Sequence, residues 1–293
     1  MIINTPRKSI PVDPLISYFG GKQGLLDDLL PLFPAHRIYV DVFAGSGSVL
    51  EGKTPSSVEV YNDADPHVVN LHKVAQIPAD AELLRLQLLL TPNSRREHSY
   101  CKEHPVVTDP IETARRYVVR VRQSYSSILD GCWGSSRTTP GNHFKIAAHR
   151  VRSVGQRLRT VKIENRHFRD LLPVYDAPDT LWYMDPPYLP ETRVSPDVYG
   201  VEMTAEEHEE LLQLAVKLSG FVVISGYGSD LYDRTLVGWH RREKVVSCST
   251  SPADRQGKSR KPKRTEVIWF NPAVKAALLA GTTAPMAEMA VAA

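Results

Sequence analysis

A mostly parallel α/β sheet is the fold class that three observations in the sequence predict. Short, nearly continuous apolar runs such as residues 180–184 (TLWYM) and 221–225 (FVVIS) read as strands buried on both faces. They alternate with amphipathic stretches of helical period. A glycine-rich turn follows directly on an early strand, at the edge where open α/β sheets bind ligands.

The elements follow in order. Residues 37–43 (RIYVDVF) are rich in β-branched and aromatic residues, a strand composition, and run into the turn 44–48 (AGSGS). Residues 57–61 (SVEVY) form a second strand, and 66–76 a helix with Pro66 at its start. Residues 79–90, 111–123 and 144–159 have helical periodicity, the last two separated by a Gly/Ser/Thr/Pro loop at 131–142. Thr204 and Glu207 make a capping box that opens a helix over 204–218. Residues 244–247 and 266–270 are late strands able to pair, and the Ala-rich tail 273–293 is expected to be peripheral and frayed.

With 293 residues, 42% hydrophobic and 24% charged, the chain is sized for one large domain or two modest ones and is no disordered or fibrous chain. No apolar run approaches the roughly 18 residues of a membrane span, and the N-terminus lacks a secretory pattern. Cys101, Cys132 and Cys248 stand far apart with no metal-ligand spacing, so no metal site is expected and a reduced cytoplasmic setting is.

Net charge is only +3, but it is unevenly spread. Residues 113–169 hold thirteen Lys/Arg against Asp130 and Glu164, a net of +11; the remaining 23 bases and 31 acids leave −8 elsewhere. A second basic cluster lies at 255–264. Aromatics within the first segment (Tyr117, Tyr125, Trp133, Phe144) add stacking surfaces, a combination suited to phosphate and base contact.

Two motifs carry the chemistry. In Asp41-Val-Phe43-Ala-Gly45-Ser46-Gly47, two glycines let the backbone approach a ligand closely. The dinucleotide fingerprint needs a third glycine where Leu50 stands, which argues against a nicotinamide enzyme. Asp63, at the end of the next strand, either accepts the two hydroxyls of a ribose or caps the following helix. The second motif, Asp185-Pro186-Pro187-Tyr188, is more specific. Two prolines after a buried strand stiffen the turn and remove competing N–H donors, leaving a carboxylate and a carbonyl to accept from an exocyclic amine beside the Tyr188 ring.

Asp-Pro-Pro-Tyr is the catalytic signature of S-adenosylmethionine-dependent amino-methyltransferases. Together with Tyr18-Phe-Gly20-Gly21-Lys22 ahead of the glycine motif and Asn62-Asp63 after it, the order resembles the Dam-type DNA adenine methyltransferase family over nearly the whole chain. The version here looks most like the solitary methylases of phages and prophages. The resemblance implies a Rossmann-like methyltransferase fold with a catalytic domain at 1–76 and 160–272 and an inserted helical target-recognition domain at 77–159. It implies S-adenosylmethionine as cofactor, held by Tyr18, Gly20, Gly21, Lys22, Asp41, Phe43, Gly45, Ser46, Gly47, Asp63, His167, Phe168 and Asp185. Many relatives carry an acidic residue where His167 stands, so this chain departs from the pattern there.

Double-stranded DNA is the implied partner. Arg122, Gln123, Ser124, Arg137, Lys145, Lys258, Arg260 and Lys263 are expected to face it, and a monomer is favoured. The expected reaction is methylation of a flipped adenine at N6, with Asp185 and the Pro186 carbonyl accepting the amine hydrogens and the base stacking on Tyr188. RNA adenine methylation, DNA cytosine-N4 methylation and a catalytically silent DNA-binding module remain as alternatives.

Overall fold

The structure, a computed structural model, describes residues 12–16, 21–134, 143–189, 201–247 and 263–282, without the side chains of 143–145, 247 and 263. Its first half comprises α1 (Leu26–Leu29), β1 (Ile38–Asp41), α2 (Ser48–Gly52), β2 (Val58–Asn62), α3 (Pro66–Gln76), α4 (Pro78–Leu90), α5 (Arg95–Glu103), α6 (Pro110–Arg122) and α7 (His143–Leu158). There follow β3 (Lys162–Glu164), α8 (Phe168–Tyr175), β4 (Thr180–Met184), α9 (Ala205–Ala215), β5 (Phe221–Tyr227), α10 (Asp230–Thr235), β6 (His240–Ser247), β7 (Lys263–Phe270) and α11 (Pro272–Leu279).

The strands form one sheet in the order β3-β2-β1-β4-β5-β7-β6. The first five pair in parallel, and β7 runs antiparallel between β5 and β6. This is the mostly parallel Rossmann-like sheet expected. The order reverses between β1 and β4, where Asp41 lies beside Tyr183 in register. The loops leaving those two strands therefore open a crevice at the carboxyl edge, the place where such sheets bind ligands.

Period-two alternation along the central strands feeds two cores. Tyr39, Tyr61, Leu181 and Tyr183 face one side and pack with Leu71, Leu84, Val118, Val151 and Val154 of α3, α4, α6 and α7. Val40, Val60, Trp182 and Ile224 face the other and pack with Leu171 of α8 and Leu211 and Leu212 of α9. The helices between β2 and β3 thus share a continuous core with the sheet. A buried ion network locks the same junction: Arg157 of α7 makes two bonds to Glu59 of β2, at 2.5 and 2.8 Å, and a third to the Leu50 carbonyl. Lys53 meets the same carboxylate at 2.7 Å. Burial opposes ionisation of Glu59, but Lys53 and Arg157 outweigh it and hold the carboxyl below its ordinary range.

The capping box at Thr204 and Glu207 is present. The tail departs from expectation. Asn271 caps α11, Val274 is fully buried, and the Ala35 N–H donates to the Thr282 carbonyl at 2.9 Å, so residues up to 282 dock on the body. No helix among the described residues is long and apolar enough to cross a membrane.

Candidate functional site

The crevice is a cleft of about 960 Å³, partly open to solvent, whose walls include Lys22, Asp41, Gly45, Asp63, Phe168 and Asp185. Its floor is the loop after β1. Gly45 and Gly47 have φ of 51° and 75°, the left-handed region, and a Cβ on Gly47 would come within 3.1 Å of Glu51 Oε1. The loop is pinned from β2: the Tyr61 hydroxyl donates to the Gly45 carbonyl at 2.5 Å, and the Gly45 N–H donates to Asp63 at 2.8 Å. The Asn62 amide donates to the carbonyls of Val42 and Arg166 and accepts from the Arg166 N–H, tying the loops after β1 and β3 together.

Asp63 also accepts from the Asp65 N–H at 2.8 Å. Burial pushes its carboxyl up to about 6 despite these bonds. Asp41 is buried and accepts from the Tyr39 hydroxyl at 3.2 Å through Oδ2, while Oδ1 has no partner among the described residues. Burial first, then the neighbouring Asp185, raise the Asp41 carboxyl well above the ordinary range. Phe43 and Phe168 lie with ring centroids 6.2 Å apart, and His167 packs on Phe168 at 4.3 Å.

These residues fit the cofactor that the motifs imply. The close-approach glycines make room, Asp63 can accept from a ribose, the Phe43–Phe168 pair can flank a purine, and Asp41 Oδ1, unbonded among the described residues, suits an amine donor. No acidic residue stands at 167, but α9 brings one there. Glu207 uses Oε2 for its capping bond and puts Oε1 3.5 Å from His167 Nε2. Glu207 was legible in the sequence only as a helix cap.

Asp185 follows β4 directly. Ser225 and Lys22 both contact its Oδ1 at 2.9 Å. The Tyr183 hydroxyl is hydrogen-bonded to Ser225 at 2.8 Å and so braces the arrangement from beneath. Burial raises the Asp185 carboxyl, and Lys22 opposes the rise. Tyr188 is buried, packed on Tyr227 at 4.2 Å between centroids, and donates its hydroxyl to Glu266 at 2.9 Å. Lys22 donates to the same hydroxyl. Glu266 and Ser225 lie in strands that the sequence predicts but are not among the site residues expected from it.

Tyr18, Gly20, Arg137, Lys258 and Arg260, and the side chains of Lys145 and Lys263, lie outside the described residues. Of the other residues expected to face DNA, three are turned inward, which corrects the expectation. Gln123 is buried, donating to the Pro92 carbonyl and accepting from the Ser94 N–H. Ser124 is buried against His98 and the Arg120 carbonyl. Arg122 donates to the Leu15 carbonyl, and burial, with Arg150 beside it, lowers its guanidinium to about 10. We expect Gln123→Ala to lower Tm, as loss of a buried hydrogen-bonded amide does, by roughly 1–3 kcal/mol of stability. The slope of DNA affinity against salt is expected to stay unchanged; a flattened slope in a filter-binding titration would restore Gln123 to the interface.

The +11 segment is corrected in the same way. Arg115 and Arg116 are paired with Glu97 and Glu112, Arg120 with Asp130, Arg150 with Asp13 and Arg157 with Glu59. Much of that positive charge is spent on internal ion pairs whose acids lie mostly outside the counted window.

A family model described as D12 class N6 adenine-specific DNA methyltransferase matches residues 18–246. A protein of Serratia marcescens named DNA adenine methylase is 22% identical over 181 residues, 60% of this chain; the match spans 66% of that relative's length. Among solved structures, precorrin-6y C5,15-methyltransferase from Geobacter metallireducens GS-15 overlaps with a TM-score of 0.37 at 10% identity, covering 92% of this chain and 98% of that one. Precorrin 8W decarboxylase from Methanobacterium thermoautotrophicum overlaps with the same TM-score of 0.37 at 10% identity, covering 91% and 98%. The family match extends over most of the chain and takes in the glycine loop, Asp63 and the Asp-Pro-Pro-Tyr turn, so the chain belongs to the D12 class N6 adenine-specific DNA methyltransferase family.

Proposed function

We propose that this chain methylates N6 of adenine in double-stranded DNA, with S-adenosylmethionine as methyl donor. The observation that carries the reading is Asp185. Its carboxylate is fixed through Oδ1 by Lys22 and Ser225, with Oδ2 left for a substrate amine on the cleft wall beside the glycine loop. Bound there, S-adenosylmethionine supplies an electrophilic methyl group on a positively charged sulfur.

The protein's own residues do the rest. Asp185 Oδ2 and the Pro186 carbonyl accept the two amine hydrogens, drawing the nitrogen lone pair out of the ring and toward the methyl group. Lys22 and Ser225 keep Asp185 from rotating, so positioning and fixed charge provide most of the acceleration. Asp41 holds the cofactor's amino group, Asp63 its ribose, and Phe43 and Phe168 its purine. A paired base cannot reach Asp185, so the adenine is flipped out of the duplex toward the Asp-Pro-Pro-Tyr turn, at a cost of a few kcal/mol. Residues 77–159 serve as the target-recognition region, and the site of action is the cytoplasm.

Asp63 gives the reading a pH signature. A carboxyl raised to about 6 is ionised above that pH and protonated below it. Only the ionised form accepts from both ribose hydroxyls. Cofactor affinity by calorimetry is therefore expected to fall as pH drops through about 6, by up to roughly tenfold per pH unit for one linked proton; an affinity flat from about pH 8 to about pH 5 would remove Asp63 from the ribose contact.

Purified protein incubated with labelled cofactor and unmethylated duplex DNA tests the function itself. N6-methyladenine is the product expected after nucleoside digestion. N4-methylcytosine, or label entering RNA instead of DNA, would contradict the proposal.

A further inference from the structure

At the cleft wall the buried Lys22, Tyr188 and Glu266 meet the partly exposed Asp185. Lys22 is 2.9 Å from Asp185 and 3.9 Å from Glu266, and it donates to the Tyr188 hydroxyl. The Tyr188 hydroxyl in turn donates to Glu266, at 2.9 Å from Oε1 and 3.2 Å from Oε2. Glu266 is only 6% exposed, so it cannot exchange protons freely with solvent. In register it stands opposite Tyr227 of β5 and Lys244 of β6; Lys244 is itself bonded to Asp28.

Two carboxylates around one ammonium carry a net charge of −1 and have room for one proton. N-methylation releases one proton. The sulfur–carbon bond breaks with its electron pair going to sulfur, a nitrogen–carbon bond forms, and one N–H proton must leave to give a neutral secondary amine. The positive charge lost at sulfur thus reappears as a proton that needs a base.

Resting on the reading of Asp185 above, we propose that Glu266 is a positioning residue that makes this group the one-proton acceptor of the reaction, storing the proton that Asp185 takes from the amine. The hydrogen bonds from Lys22 to the Tyr188 hydroxyl and from that hydroxyl to Glu266 run in the required direction. Lys22 passes one of its protons to the Tyr188 oxygen as the Tyr188 hydroxyl proton moves to Glu266, and the Lys22 amine so freed takes the proton from Asp185. Lys22 remains an ammonium, Tyr188 remains a phenol, and one proton has moved from Asp185 to Glu266. Burial raises the Glu266 carboxyl above its ordinary range, and Asp185 reinforces this against the pull of Lys22, so Glu266 holds a proton more readily than an exposed glutamate.

The test is Glu266→Gln in the full chain, which keeps the shape and an oxygen for Tyr188 but removes the proton acceptor. Infrared titration of the unliganded protein is expected to show buried carboxylic acid absorption in the wild type that Glu266→Gln diminishes by one carboxyl, the absorption of Asp41, Asp63 and Asp185 remaining. In single turnovers with a pH-indicator dye, proton release to solvent lags methyl transfer in the wild type and coincides with it in the variant. kcat falls by about ten- to a hundredfold with an altered pH profile, while cofactor and DNA affinities stay within about threefold. Glu266→Asp restores part of kcat and the lag. A lowered Tm with kcat, pH profile and proton lag unchanged would mean a purely structural Glu266 and overturn the proposal, as would an undiminished infrared band. If Asp185→Ala stays active, the reading of Asp185 fails, and the infrared titration still decides separately whether Glu266 titrates.

Discussion

Asp185→Ala is expected to reduce methyl transfer by at least about 10²–10³-fold, the scale on which losing one preorganised polar group at a reacting centre is felt. Cofactor and DNA affinity should change far less, because Asp63, the glycine loop and the aromatic pair are untouched. The cause is geometric: Asp185 is held at 2.9 Å by both Lys22 and Ser225, which fixes its carboxylate on the cleft wall. Single-turnover transfer with saturating cofactor and DNA is the measurement. A folded Asp185→Ala protein that retained near-wild-type rates would show that the amine is activated elsewhere.

Arg157→Ala is expected to cause the largest loss of stability. It removes two of the three charge contacts to the buried Glu59 and frees the Leu50 carbonyl beneath the glycine loop. Breaking a buried pair costs about 3–5 kcal/mol, because the remaining charge stays desolvated. For a chain of this size Tm should fall on the order of 10 °C by calorimetry. Because Arg157 joins α7 to β2 and α2, cofactor binding should weaken as well. An unchanged Tm would mean that the helices between β2 and β3 are not fastened to the sheet through this pair.

What the sequence makes legible and what it hides follow from how local each signal is. The Asp185–Tyr188 turn, the glycine loop and the Thr204–Glu207 capping box are spelled by adjacent residues, and each appears where expected. The strands at Thr180–Met184 and Phe221–Tyr227 are apolar enough to be read directly. The three-residue β3 is too short for any period to register, and α5 lacks an apolar stripe of its own.

Glu266 contacts Tyr188 across 78 positions and Arg157 reaches Glu59 across 98, so only folding reveals either pairing. The same distance effect misled the charge count. Glu59, Glu97, Glu112 and Asp13 lie outside residues 113–169 yet neutralise arginines inside them. The family resemblance places Gln123 and Ser124 against DNA, but the turn after α6 folds them back under α5.

Acting together, the Asp185 turn and the glycine loop are proposed to methylate adenine N6 in DNA. Expression of the protein in a host free of DNA methylation, followed by modification-sensitive sequencing of the host DNA, tests it most directly. N6-methyladenine is expected at a defined sequence, and is expected to be absent when Asp185→Ala is expressed at the same level. Methylated cytosine, or unmodified DNA from cells holding the folded wild-type protein, would contradict it.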